Sequence, residues 1–252
     1  MGVNAMQNQQ RFSGLTFLVT GASSGLGAHF CQALHAQGAR VIGLARRDCS
    51  AQPGVDRAIQ ADIADASGLQ AAVARVLGLP GEADRIDGLV NNAGIAITAS
   101  LDQTAPEDEA RVLATNISGV TNMTRVMTPY LRAQGGGVMV NMASVLGILP
   151  VKQVATYAAS KAAIIQMTRS AAIELARDQI RVNALAPGYV KTELNSDILD
   201  GPAGEALKKM SPLRRFARPE ELDAALFCLL DPENSYMTGA VMVVDGGMSA
   251  GL

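Results

Sequence analysis

Histidine is nearly absent from this chain of 252 residues. His29 and His35 are too few for a histidine-ligated metal centre or a histidine-based catalytic triad. Cysteine is scarce too: Cys31, Cys49 and Cys228 are odd in number, far apart and in no Cys-x-x-Cys arrangement. They are expected as reduced thiols of a cytoplasmic protein. Neither charge dominates, since 21 basic and 23 acidic residues leave a formal net charge of −2. A nucleic-acid partner would call for a basic excess or stripe, so none is expected. No apolar run reaches membrane-spanning length, so no membrane partner is expected either. The opening stretch MGVNAMQNQQRFSG lacks the apolar centre of a signal peptide, and export is not expected. Gly2 follows Met1, but Met6 stands where a myristoylation motif wants Ser or Thr. Residues 1–13 read as a flexible tail.

What remains is long enough to bury a core without disulfides or metal. Short apolar runs alternate with Ala-rich stretches of helical period. Strands are expected at 15–21, 40–46, 57–63, 86–94, 137–144, 180–188 and 239–247. Helices are expected at 25–38, 66–78, 106–136, 154–177 and 219–231. The strand runs are continuously apolar, as in a parallel sheet covered on both faces. The alternation predicts a doubly wound, Rossmann-type α/β fold of about seven strands. No composition shift marks a linker, so 14–252 reads as one domain. Residues 189–218 have no slot in the alternation. With Gly201, Pro202 and Pro212 they read as an insertion of short helices, of the kind that forms a substrate lid.

TGASSGLG (20–27) follows the first strand and opens the first helix. Gly21 permits a tight turn, Gly25 a close backbone approach, and Gly27 close helix–strand contact. Free N–H groups and the helix dipole there favour a pyrophosphate. The alternative is a merely structural glycine turn. The binding set at this end is Gly21, Ser23, Ser24, Gly25, Leu26 and Gly27.

The spacing Thr-Gly-x-x-x-Gly-x-Gly, NNAG (91–94), Asn116, Ser144, YAASK (157–161) and PG (187–188) occur in one order. In this the chain resembles the short-chain dehydrogenase/reductase family over residues 14–247. The resemblance implies an oxidoreductase that moves a hydride between NAD(P)(H) and a carbonyl or secondary alcohol, with no metal. It implies that Asp62 accepts from the adenine and that Ile63 gives a backbone contact, where a loop-starting Asp is the plain alternative. Asn92, Ala93 and Gly94 would line the cofactor path, where an ordinary turn is the alternative. Pro187 and Gly188 would shape the loop under the nicotinamide, and Val190 and Thr192 would bond its carboxamide.

After the second strand the chain reads LARRD. Ala45 stands where NAD enzymes place an acid on the ribose 2′-OH, and Arg46 and Arg47 could grip a 2′-phosphate. NADP(H) is therefore expected over NAD(H), with Asp48 positioned to offset the arginines.

Tyr157 is the family's acid/base, and a phenol of pKa about 10 needs lowering to act at neutral pH. Lys161, one helical turn on, supplies the cation and would bond the nicotinamide ribose. Ser144 would hold the substrate oxygen, a turn-forming serine being the alternative. Asn116 would bend its helix and hold a proton-relaying water. The expected substrate is a 3-oxoacyl thioester, with Lys208, Lys209, Arg214 and Arg215 either greeting an anionic carrier or simply solvated. A sugar or polyol dehydrogenase using NAD is the second reading, and a non-catalytic NAD(P)-binding sensor or scaffold the third. The family resemblance implies a homotetramer, with the far face of 154–177 and the last strand as interfaces.

Overall fold

A computed structural model describes residues 10–250, with Ala83 and Leu194 excepted. Strand β1 (Thr16–Thr20) is buried along its whole length, so both of its faces must be covered. Phe17 and Val19 enter a core with Phe30 and Leu34 of α1 (Gly25–Ala36) and Leu226 and Leu229 of α8 (Asp223–Leu230). Leu18 points the other way, to Leu69 and Val73 of α2 (Ala66–Leu77) and Met123 and Met127 of α4 (Gly119–Ala133). The other strands are β2 (Arg40–Ala45), β3 (Arg57–Gln60), β4 (Gly88–Asn91), β5 (Gly137–Met142), β6 (Ile180–Pro187) and β7 (Val241–Val244). They form one parallel sheet of order β3-β2-β1-β4-β5-β6-β7. The chain builds outward from β1 in one direction and from β4 in the other. A crevice opens between their carboxyl ends, where such sheets bind ligands. The expected Rossmann-type single domain of seven strands is the architecture found.

The elements differ from expectation in instructive ways. β3 stops at Gln60 rather than running to residue 63. The Asp62 carboxylate accepts from its neighbour Ala64 N at 2.9 Å and turns the chain there. The long helix expected at 106–136 is three pieces: α3 (Pro106–Leu113), a π-helical turn (Ala114–Ser118), and α4. Asn116 sits at the middle of the π turn, so the expected local bend is present. Its cause is non-local, because the Asn116 amide is clasped by Ile95 N at 2.8 Å and Ile95 O at 2.9 Å. Helix α5 (Ala155–Leu175) carries the YAASK stretch. Within 189–218, α6 (Ser196–Leu199) and α7 (Pro202–Met210) are the expected short helices. They meet so closely that a Cβ on Gly204 would fall 1.8 Å from Leu199 O.

Residues 1–9 of the expected tail lie outside the described residues, but its end at 10–13 does not behave as a tail. Phe12 is fully buried, edge-on to Phe17 at 5.2 Å and to Phe227 at 5.4 Å. Its backbone N–H donates to Gln37 O at 2.9 Å. The surrounding polarity concealed one aromatic anchor that closes the α1/α8 side of the core. Phe12→Ala is expected to lower unfolding free energy by about 3–5 kcal/mol in a denaturant melt. A loss near zero would mean that this segment does not contribute to the core.

Candidate active site

The carboxyl edge of β1 and β4 is held by Thr20. Its Oγ1 accepts from Asn92 N and from Ala93 N, each at 3.0 Å. The Asn92 amide in turn donates to Thr20 O at 3.0 Å. Gly21 takes a φ of +71° against this clamp, and a Cβ there would lie 2.9 Å from Asn92 Nδ2. A Cβ on Gly27 would fall 2.2 Å from Gly21 O, so α1 enters the sheet only through glycine. At the start of α1 the Gly25 N–H is already given to an anion, the Glu193 carboxylate, at 2.8 Å. That bond holds Glu193 below the ordinary carboxylate range. A carboxylate there is a stand-in for a phosphate oxygen, and the residues at this turn fit a dinucleotide.

Arg47 lies over the same turn, with Nη2 donating to Ser24 Oγ at 2.9 Å and Ser23 Oγ at 3.3 Å. Asp48 does not reach back to the arginines. Its carboxylate accepts from Ser50 N and Ser50 Oγ, each at 2.9 Å, which lowers its pKa. Arg46 is exposed, its carbonyl accepting from Gln60 Nε2 at 3.0 Å. Leu26 packs on the core behind the turn.

Asp62 and Ile63 lie beyond the end of β3. Asp62 is exposed, while Ile63 is buried and its carbonyl accepts from Asn122 Nδ2 at 2.9 Å. Gly94 faces the centre of the site, where an added Cβ would lie 3.3 Å from Asn116 Oδ1 and 3.5 Å from Lys161 Nζ. Pro187 ends β6, and Gly188 N donates to Val244 O at 2.9 Å. Val190 O and Thr192 N are both engaged by the Asn195 amide at 2.9 Å. Those two backbone groups are thus occupied within the protein.

Tyr157 and Lys161 share one face of α5, with Lys161 Nζ 5.7 Å from the phenol ring centroid. Ser144 lies two residues past β5, is buried, and bonds to the Tyr157 side chain. Its Oγ also accepts from Leu146 N at 3.1 Å. The lysine-driven lowering of the phenol pKa expected from spacing is not what the protein groups produce. Burial pushes Tyr157 above the ordinary phenol range, the bond to Ser144 pulls it down, and Tyr189 pushes it up again. Lys161 donates to Met142 O at 2.6 Å, and burial lowers its pKa to about 8. Desolvation acts on both groups and outweighs their mutual attraction. Asn116 gives its N–H donors to Ile95 O and to Ser160 Oγ at 3.0 Å. Its side-chain amide therefore ties the loop after β4, the π turn and α5 together. Phenol, hydroxyl and ammonium converge beside the β1/β4 crevice, a set that can hold a carbonyl oxygen and exchange a proton with it. Among the described residues no three His, Cys, Asp or Glu side chains converge as metal ligands.

Sequence reasoning missed Thr20, Ser160, Glu193 and Asn195. Thr20 and Ser160 lie inside stretches already singled out, so their position was the available signal. Glu193 and Asn195 carried none, because their partners are set by how the 189–218 segment folds back.

Residues 21–249 match a family model described as enoyl-(acyl carrier protein) reductase. The chain is 37% identical to D-threitol dehydrogenase of Mycolicibacterium smegmatis, over 94% of each chain. It is 36% identical to a 3-oxoacyl-[acyl-carrier-protein] reductase of Thermotoga maritima, covering 94% of this chain and 99% of that one. The crystal structure of a gluconate 5-dehydrogenase from Burkholderia cenocepacia, in complex with NADP and tartrate, superposes with a TM-score of 0.89. It is 29% identical and covers 97% of this chain and 99% of its own.

Burial of a charged Lys161 has a measurable cost. With a folded pKa of about 8 against 10.5 unfolded, the penalty is full below pH 8 and relieved between those values. Without added dinucleotide, Lys161→Met should therefore be the more stable protein at pH 7, by about 1–3 kcal/mol. The gap should close as pH rises toward that of free lysine. Denaturant melts of both proteins across that range check it, and a pH-independent gap would contradict it.

Proposed function

The chain belongs to the short-chain dehydrogenase/reductase family and is an NAD(P)-dependent oxidoreductase of the CH–OH/C=O pair, and from that premise we propose that it interconverts a 3-oxoacyl thioester and its 3-hydroxy product with NADP(H). The observation that carries the substrate class is the wall around the Tyr157 phenol. Val145, Leu146, Leu149 and Met248 pack there with Val151, Val154 and Tyr189, an apolar surface suited to an acyl chain. NADP(H) is supported by Ala45, which offers no carboxylate to a ribose 2′-OH, and by Arg47 held over Ser23 and Ser24. It is supported further by Asp48 turning to Ser50, which leaves the arginine charge uncompensated there. The related gluconate 5-dehydrogenase was solved with NADP.

The bound dinucleotide supplies or accepts the hydride. Ser144 and Tyr157 hold the substrate oxygen between them, and Tyr157 gives its proton to the developing alkoxide. Lys161, with its pKa lowered to about 8, carries a proton labile enough near neutrality to restore the phenol. Asn116 fixes the loop at Ile95 beneath this group. Gly21, Gly25, Gly27 and the two serines take the pyrophosphate end. Gly94, Pro187 and Gly188 take the nicotinamide end, where the Val190 N–H and the Thr192 hydroxyl, rather than the groups bound to Asn195, meet the carboxamide; Asp62 and Ile63 take the adenine. Residues 189–218 serve as the lid, and its Glu193 occupies the Gly25 N–H that the pyrophosphate would take over. The enzyme works in the cytoplasm as a homotetramer, in keeping with Ile173 standing 80% exposed on α5 and Val243 exposed on β7. Sedimentation tests the assembly.

A polyol substrate is the second reading. The 37% identity to D-threitol dehydrogenase favours it. So does the lid's charge, since Lys208 pairs with Glu205 at 2.5 Å and Arg215 with Glu221 at 2.7 Å, leaving less for an anionic carrier. A sensor without turnover is disfavoured by the complete Asn116–Ser144–Tyr157–Lys161 set.

A panel of 3-oxoacyl thioesters, polyols and simple ketones, followed by NADPH absorbance, separates these readings. Turnover confined to polyols would replace the acyl reading, and tight cofactor binding with no turnover would revive the sensor. Tyr157→Phe should lower kcat by about 10²–10⁴-fold while dinucleotide affinity holds. Lys161→Met should lower activity and move the pH profile upward. NADPH should exceed NADH in kcat/KM by about tenfold or more, and Arg47→Ala should erase most of that preference. A stronger NADH reaction in the wild type would refute the NADP(H) assignment.

A further inference from the structure

Ser160 lies between Tyr157 and Lys161 on α5 and is fully buried. Its hydroxyl is used twice. It donates to Tyr157 O at 2.7 Å and accepts from Asn116 Nδ2 at 3.0 Å. The same Asn116 amide is clasped by Ile95 N and O, and Ile95 directly follows Gly94, the residue facing Lys161 Nζ. Three chain segments thus meet at one side chain: the loop after β4, the π turn, and the first turn of α5. Ser160 supplies the hydrogen bond that joins the Asn116 clasp to the turn bearing Tyr157.

We propose that Ser160 is a positioning residue, the strut by which the π turn sets the height and rotation of Tyr157 and Lys161 over the crevice; this rests on the oxidoreductase reading above. The physical reason is satisfaction of a buried donor. Without the hydroxyl, one Asn116 N–H loses its acceptor in a site closed to water. Either the amide rotates off Ile95 or the α5 turn shifts to find it a partner. Both movements change the approach of the phenol to Ser144, and small displacements of a proton donor cost rate steeply. A π turn is energetically poorer than continuous α-helix and recurs at functional sites, so its central residue needs partners on both sides to persist. Ile95 is one and Ser160 is the other.

The test is a double-mutant cycle on the full-length enzyme with Ser160→Ala, Asn116→Ala and the pair. Ser160→Ala should lower kcat about tenfold, with KM and the NADPH dissociation constant, read by cofactor fluorescence, within about twofold. In the alcohol-oxidation direction its pH profile should move to higher pH, because the phenolate loses its register with Lys161. In the Asn116→Ala background the same change should cost little further kcat, since the strut then has nothing to carry. Ser160→Cys, with a weaker donor and acceptor of similar size, should fall between wild type and Ser160→Ala. Wild-type kcat in Ser160→Ala, costs that multiply in the double variant, or a loss that only follows the melting temperature would each overturn the proposal. Full activity in Tyr157→Phe would instead overturn the reaction reading and this proposal together.

Discussion

One threonine hydroxyl sets the geometry on which the rest of the site depends. Thr20 ends β1, and its Oγ1 takes the backbone N–H groups of Asn92 and Ala93 just past β4. β1 and β4 are where the chain reverses its direction of sheet growth, so their carboxyl ends must diverge to leave a crevice. Each bond contributes only about 1 kcal/mol net, but an unpaired N–H at this depth would cost more than the bond gains. The clamp also explains the glycines. Asn92 Nδ2 lies close enough to Gly21 and Gly27 that any side chain at either would collide with it. The glycine pattern at this turn is thus a steric consequence of drawing two strands and a helix to one point.

Beyond the clamp, the electrostatics of the site follow from burial. Taking Tyr157 and Lys161 out of water pushes the phenol up and the ammonium down, so both are driven toward neutrality. The protein holds an unfavourable lysine in place through Met142 O. That arrangement costs stability and leaves an ionisable group close to the working pH, a pattern common at functional sites. The Glu193 carboxylate on Gly25 shows a similar economy at the other end of the crevice, where a side chain meets the positive end of α1.

Legibility in the sequence varied with how local the deciding interaction was. The Tyr157–Lys161 pair was readable because helical period alone places residues four apart on one face. The parallel, doubly wound sheet was readable from the strand–helix alternation and the continuously apolar strands, whereas its strand order came with the fold. The bend at Asn116 was expected from the family resemblance, yet the strut it forms depends on Ile95 and Ser160. Phe12 read as part of a tail because its neighbours are polar, whereas its burial depends on Phe227 from the far end of the chain. Asp62 read as a strand end, but a local carboxylate–amide bond turned the chain two residues earlier.

The sequence by itself determined the fold class and the order of elements, because periodicity and glycine sterics are properties of the chain, and its motifs carried the family resemblance. Only the tertiary structure decided the direction in which Tyr157 and Lys161 titrate, the partner of each Asn116 donor, and the carboxylate that meets the start of α1. Those outcomes depend on depth from solvent and on contacts between residues as far apart as Gly25 and Glu193, 168 positions along the chain, and neither quantity exists until the chain has folded.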